Sequence, residues 1–168
     1  PFGIVVKIMW DKLNHNIDKM LLLTKNLLLA VEKQHQKLLN NDKIGFDEII
    51  KEQSEITGKL LMCEKEKETI INEIMYNQKI NLANLTLLQT VEFAKDKKQE
   101  LMLKVLELNA VGEKIRNYIT KNKNLNDQAM RFINFNINVI TGTTADTTYT
   151  AQNTGNVITK KKMFDQSI

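Results

Sequence analysis

Residues 96–140 read DKKQELMLKVLELNAVGEKIRNYITKNKNLNDQAMRFINFNINVI. Apolar or small residues recur there in steps of three and four: Leu101, Val105, Leu108, Val111, Ile115, Tyr118, then Leu125, Ala129, Phe132 and Val139. Such spacing marks one face of an α-helix. Asp96 with Gln99 has the pattern of a capping box. Read as one helix of about 45 residues, the stretch is roughly 65 Å long at 1.5 Å per residue and overhangs any globular core. Lys121-Asn122-Lys123-Asn124 is its weakest point, since asparagine has poor helix propensity.

Upstream the same period holds. Trp10, Leu13, Ile17, Met20, Thr24, Leu27, Val31, His35 and Leu38 form one stripe, which Leu21 and Leu28 widen and Leu22, Leu23 and Leu29 carry further round. A second stripe is Phe46, Ile49, Gln53, Ile56, Leu60, Cys63, Lys67, Ile70 and Ile74. The polar break Asn40-Asn41-Asp42-Lys43 joins the two as antiparallel neighbours. Within the second, Glu64-Lys65-Glu66-Lys67-Glu68 reads as a solvated charged face. Asn84 is placed to cap a short helix over Leu85, Leu88 and Val91. The only proline is Pro1, so nothing interrupts long helices. Gly45, Gly142 and Gly155 fall where the apolar period stops.

These readings give an all-α fold: an elongated antiparallel helical bundle with one long C-terminal helix and a flexible C-terminal tail. Residues 1–9 are an N-terminal extension or scar, 10–141 the helical domain and 142–168 the tail. From Thr141 the chain is rich in threonine and small polar residues without helical period, a composition that does not build a core.

Composition excludes several classes of function. Net charge is +4, from 24 basic and 20 acidic residues that are interspersed. A nucleic-acid groove needs a basic face with stacking aromatics, so no nucleic acid is expected. One cysteine, Cys63, forbids an intrachain disulfide and suits a reducing, cytoplasmic compartment. No signal peptide or membrane span is read. Two histidines, His15 and His35, and one cysteine build no metal site, and the glycines make no phosphate-binding loop. Cys63 lies on an apolar stripe and reads as core. A phosphotransfer histidine would carry lysine and glycine three and four residues on, whereas His35 is followed there by Leu38 and Leu39. Neither catalysis nor a cofactor is expected.

Residues 125–140 carry more apolar surface than one helix face needs. Leu125, Ala129, Phe132, Ile133, Asn136 and Ile140 share a face, while Met130, Phe135, Ile137 and Val139 lie off it. A helix apolar all round must be covered, either by its own chain or by a partner helix. Asn134, Asn136 and Asn138 are interleaved with these residues.

Two helices, a short connector, a long helix and a tyrosine-bearing tail together resemble the FlgN-type chaperones of flagellar type III secretion. Asn126, Ala129-Met130 and Phe132-Ile133 are similar to the asparagine and paired apolar residues of that family. Lys123 stands where the family often has a second asparagine. Thr148-Tyr149 through Gly155, followed by Lys160-Lys161-Lys162, resembles the family tail, with Thr150 in place of its usual glycine. The resemblance implies a cytosolic export chaperone that binds the C-terminal helices of hook–filament junction proteins. It implies cargo contacts at Leu125, Asn126, Ala129, Phe132, Ile133, Asn136, Ile137 and Ile140. It further implies that Tyr149 meets the cytoplasmic domain of the export-gate membrane protein. Such a protein is a monomer or homodimer. The competing reading is a structural coiled-coil adaptor, which would show sustained a/d heptads where this stripe is wide and drifts.

Overall fold

The computed structural model describes residues 2–122 and 127–142, with the side chains of Phe2, 127–130 and Phe132 excepted. Five α-helices follow in order: α1 (Phe2–Leu39), α2 (Phe46–Gln78), α3 (Leu87–Val91), α4 (Lys98–Lys121) and α5 (Asp127–Thr141). A 3-10 turn, Lys95–Lys97, leads into α4. There is no strand among the described residues, and the all-α antiparallel bundle read from the sequence is the fold.

α1 is the longest element, 38 residues and about 57 Å. It begins eight residues before the stripe, and Met9 and Trp10 are already buried. Leu13, Ile17, Met20, Leu27 and Val31 are all 0% exposed because α1 lies between α2 and α4. α2 runs antiparallel to it: Asn16 Nδ2 donates to the Cys63 carbonyl at 2.9 Å and Gln53 Nε2 to Gln34 Oε1 at 3.0 Å. α4 runs parallel to α1, since Asn14 Nδ2 reaches Glu100 Oε1 at 3.0 Å and His35 Nδ1 reaches Asn122 Oδ1 at 2.6 Å. A connection of about 20 residues allows that parallel return. In it Thr86 caps α3: its hydroxyl accepts from Gln89 N at 3.1 Å, and Gln89 Oε1 accepts from Thr86 N at 2.9 Å.

The sequence reading needs three corrections. The capping box is Thr86/Gln89, not Asp96/Gln99, and Asn84 is not the cap. α4 starts at Lys98 without a side-chain cap. Glu64 and Lys67 are not a solvated face: they form a 2.8 Å ion pair with side chains 11% and 10% exposed. Finally, the 45-residue helix is two helices. In a continuous helix, residues 112 and 137 would lie about 37 Å apart. Instead a Cβ on Gly112 would come 3.3 Å from Ile137 Cγ2 and 2.8 Å from Thr141 Cγ2. α4 ends at Asn122, whose N–H bonds back to the Tyr118 and Ile119 carbonyls, and α5 packs antiparallel on α4 and against α2. Weak propensity around Asn122 makes the break cheap, and burial of the α5 isoleucines drives the return.

The leucines of α1 separate into two kinds. Leu27 is fully buried, while Leu22 and Leu29 are 62% and 56% exposed. Leu27→Ala is expected to lower unfolding free energy by about 3 kcal/mol through transfer loss and cavity. Leu22→Ala should change it by less than about 0.5 kcal/mol. Urea denaturation of both variants checks the pair.

Candidate functional site

The region implicated by the sequence is α5 and its seat. Ile133, Asn136, Ile137 and Ile140 are 2%, 2%, 0% and 2% exposed, so the structure brings these four together inside the protein. Asn134 and Asn138 are buried as well. Leu125, Asn126 and Tyr149, and the side chains of Ala129 and Phe132, lie outside the described residues.

The helix is held on α4 by contacts the sequence did not announce. Arg116 Nε donates to Asn138 Oδ1 at 2.9 Å, and its Nη2 to the Thr141 hydroxyl. Arg116 also pairs with Glu113 on its own helix. Thr141 in turn donates to the Ile137 carbonyl at 2.7 Å. Gly112 is what permits this closeness, because it presents no side chain towards Thr141 and Ile137. An isolated glycine inside a helical period was the available signal, as such a residue costs helix stability unless packing needs it.

At the far end α5 stops at Gly142, which adopts φ 73° and faces Thr86, the α3 cap. There α2, residues 82–87 and the end of α5 enclose a cleft of about 430 Å3. Glu64 and Lys67 stand in its wall. Burial pushes the Glu64 carboxyl above its ordinary value, and the neighbouring Lys67 ammonium offsets only part of that. At the other end, His35 anchors the C-terminus of α4. The Asn122 side-chain amide meets His35 Nδ1 there at 2.6 Å. The imidazole also packs edge-on to Tyr118 with centroids 5.2 Å apart.

These groups hold α5 and the end of α4 in place. Burial pushes the Cys63 thiol up, away from the reactive thiolate. Among the described residues no three His, Cys, Asp or Glu side chains converge on a metal position. No helix among them is long and apolar enough to cross a membrane.

Gly112→Ala gains helix propensity worth about 1 kcal/mol but drives a methyl into Thr141. Overpacking of this kind costs about 1–3 kcal/mol, so the variant should be less stable than the parent. Adding Thr141→Ser removes the clashing methyl, keeps the hydroxyl, and should recover the loss in urea denaturation.

No curated protein and no solved structure matches this chain. The sequence model of the FlgN protein family matches residues 9–155, from the last residues of the first turns of α1 through the tyrosine-bearing segment after α5. With most of its length matched, this chain belongs to the FlgN protein family.

Proposed function

We propose that this protein is a flagellar export chaperone which binds the C-terminal helices of hook–filament junction proteins in the cytoplasm and delivers them to the export gate. The family match over residues 9–155 is the observation that carries the reading. The segment Leu125–Ile140 is the cargo-binding element, with Ile133, Ile137 and Ile140 as apolar anchors and Asn126 and Asn136 as polar partners. A cargo helix left bare would aggregate or assemble early, and an apolar partner surface covers it without any chemistry.

The burial of α5 sets a condition on this role. Ile133, Ile137 and Ile140 are sealed against α2 and α4, so cargo reaches them only if α5 leaves its seat. Undocking exposes two apolar surfaces, the α5 face and the α2–α4 groove, and a cargo helix compensates by covering them. Affinity is then reduced by the free energy of opening, which keeps the complex releasable.

The test is a reversible lock. Gly112→Cys with Thr141→Cys, in a Cys63→Ala background, places the thiols within disulfide reach, where Cβ atoms lie about 3.5–4.5 Å apart. Oxidised, the chaperone should lose at least about tenfold in affinity for a junction-protein C-terminus, and reduction should restore it. Undiminished binding by the locked form rules out a cargo site on the buried face of α5.

Delivery falls to Tyr149. Tyrosine combines large contact area with little rotamer entropy to lose and one directional hydroxyl. Tyr149→Ala should leave cargo affinity within about tenfold while weakening the complex's binding to the cytoplasmic domain of the export gate. Unchanged gate binding and normal secretion would remove Tyr149 from the mechanism.

A further inference from the structure

One end of the bundle carries a second cleft, distant in sequence from α5. It has a volume of about 420 Å3 and lies between the start of α1, the end of α2 and the turn before α4. Val6, Trp10, Ile80, Phe93 and Ala94 give it an apolar lining. Phe93 is 44% exposed, so part of this lining faces solvent.

Two of the lining residues, Trp10 and Gln78, each carry an unmet polar atom. Trp10 is 97% buried, being 3% exposed, and its indole N–H has no hydrogen-bond partner. Gln78 Oε1 is buried and likewise unpartnered. Elsewhere in the core an orphaned amide atom belongs to a side chain whose other end is bonded. Asn16 reaches the Cys63 carbonyl, Gln34 and Gln53 reach each other, and Asn122 reaches His35. Trp10 and Gln78 make no side-chain hydrogen bond at all among the described residues. A buried donor or acceptor without a partner is costly, and such groups call for an explanation.

The rim is cationic. Lys97 is neutralised by Asp11 at 3.3 Å and Glu100 at 3.7 Å. Lys7 and Lys95 line the same cleft and form no ion pair among the described residues, with Asp96 the single acidic residue of the lining.

From this juxtaposition we infer that the cleft is a docking site for a short extended peptide segment of a partner protein, apolar and acidic in alternation. A peptide edge presents one carbonyl and one N–H, which are the complements of the Trp10 donor and the Gln78 acceptor. Successive side chains of an extended chain point to opposite sides. An apolar residue enters between Trp10, Ile80 and Phe93, and its acidic neighbours meet Lys7 and Lys95. A membrane surface fits less well, because lipid contact favours a protruding apolar edge and this feature is concave. The site uses none of the cargo residues, so it stands or falls independently of the role proposed for α5.

Trp10 is the only tryptophan, so its fluorescence reports the cleft directly. The probe is an acetylated, amidated hexapeptide of alternating leucine and aspartate, titrated into the full chain. Its lysine-for-aspartate counterpart is the control. A saturable change in Trp10 emission is expected at sub-millimolar peptide, with the lysine peptide at least about tenfold weaker. Lys7→Glu combined with Lys95→Glu should weaken binding by at least about tenfold and leave the thermal midpoint unchanged. Trp10→Phe, read by calorimetry, keeps an aromatic side chain of smaller size, removes the donor and should weaken binding severalfold. Four results would overturn the inference: no saturable change up to millimolar peptide, equal affinity for the lysine peptide, indifference to the charge reversal, or indifference to Trp10→Phe. Self-association in sedimentation that the same charge reversal abolishes would also overturn it, by assigning the cleft to a second copy.

Discussion

Everything in this bundle leans on α1. Its buried stripe faces α2 on one side and α4 on the other, so one helix organises two interfaces. Nine of its hydrophobic residues are buried, from Met9 to Val31. At about 1.5–3 kcal/mol for each large aliphatic side chain, that burial dominates any other single element. The ion pairs along the α1–α4 seam, Lys104 with Asp18 and Lys25 with Glu107, are partly exposed and add register more than stability.

Three long helices leave a fourth position open between α2 and α4, and the chain fills it in two pieces. α3 packs on α4 from the connection, and α5 lies on both α2 and α4. The pieces meet where Gly142 faces Thr86. α5 is the longer piece, and its hold is mixed in character. Of its described side chains, Ile133, Ile137 and Ile140 are the buried hydrophobics, and they alternate with buried asparagines that return little on burial. α5 is also the last helix of the bundle in chain order, so it can leave its seat without displacing a helix that follows it.

Much of this was legible. The α2 stripe read from spacing alone is buried at every position from Ile49 to Ile74 that it named. A period of 3.6 and an amide-rich turn suffice for that. What spacing cannot encode is where a helix direction reverses, because a stripe continues in phase through a break. The run Leu101 to Val139 therefore looked like one rod, although α5 folds back. Burial of Glu64 and Lys67 escaped for a related reason. Lys67 sat on the apolar stripe, yet a dense charge run suggested water, and only the pairing at 2.8 Å lets both stay inside. The residues expected to meet cargo are split the same way: the pattern found the apolar helix, but not that its own chain covers Ile133, Ile137 and Ile140.

The polar groups of the core are arranged unevenly, and that unevenness bears on function. Between α1 and α2 the buried amides Asn16, Gln34 and Gln53 bond across the interface or to its backbone, which fixes register within a largely apolar stripe. On α5 one polar contact is made by Arg116, a cation that reaches Asn138 and Thr141 from α4 while also serving Glu113. The Arg116 side chain is 19% exposed, whereas Asn16, Gln34 and Gln53 are 0%, 0% and 1% exposed. α1 and α2 are therefore joined through fully buried amides, and α5 meets α4 in part through a charged side chain that keeps some contact with water. The release of α5 proposed above as the route for cargo draws on that difference.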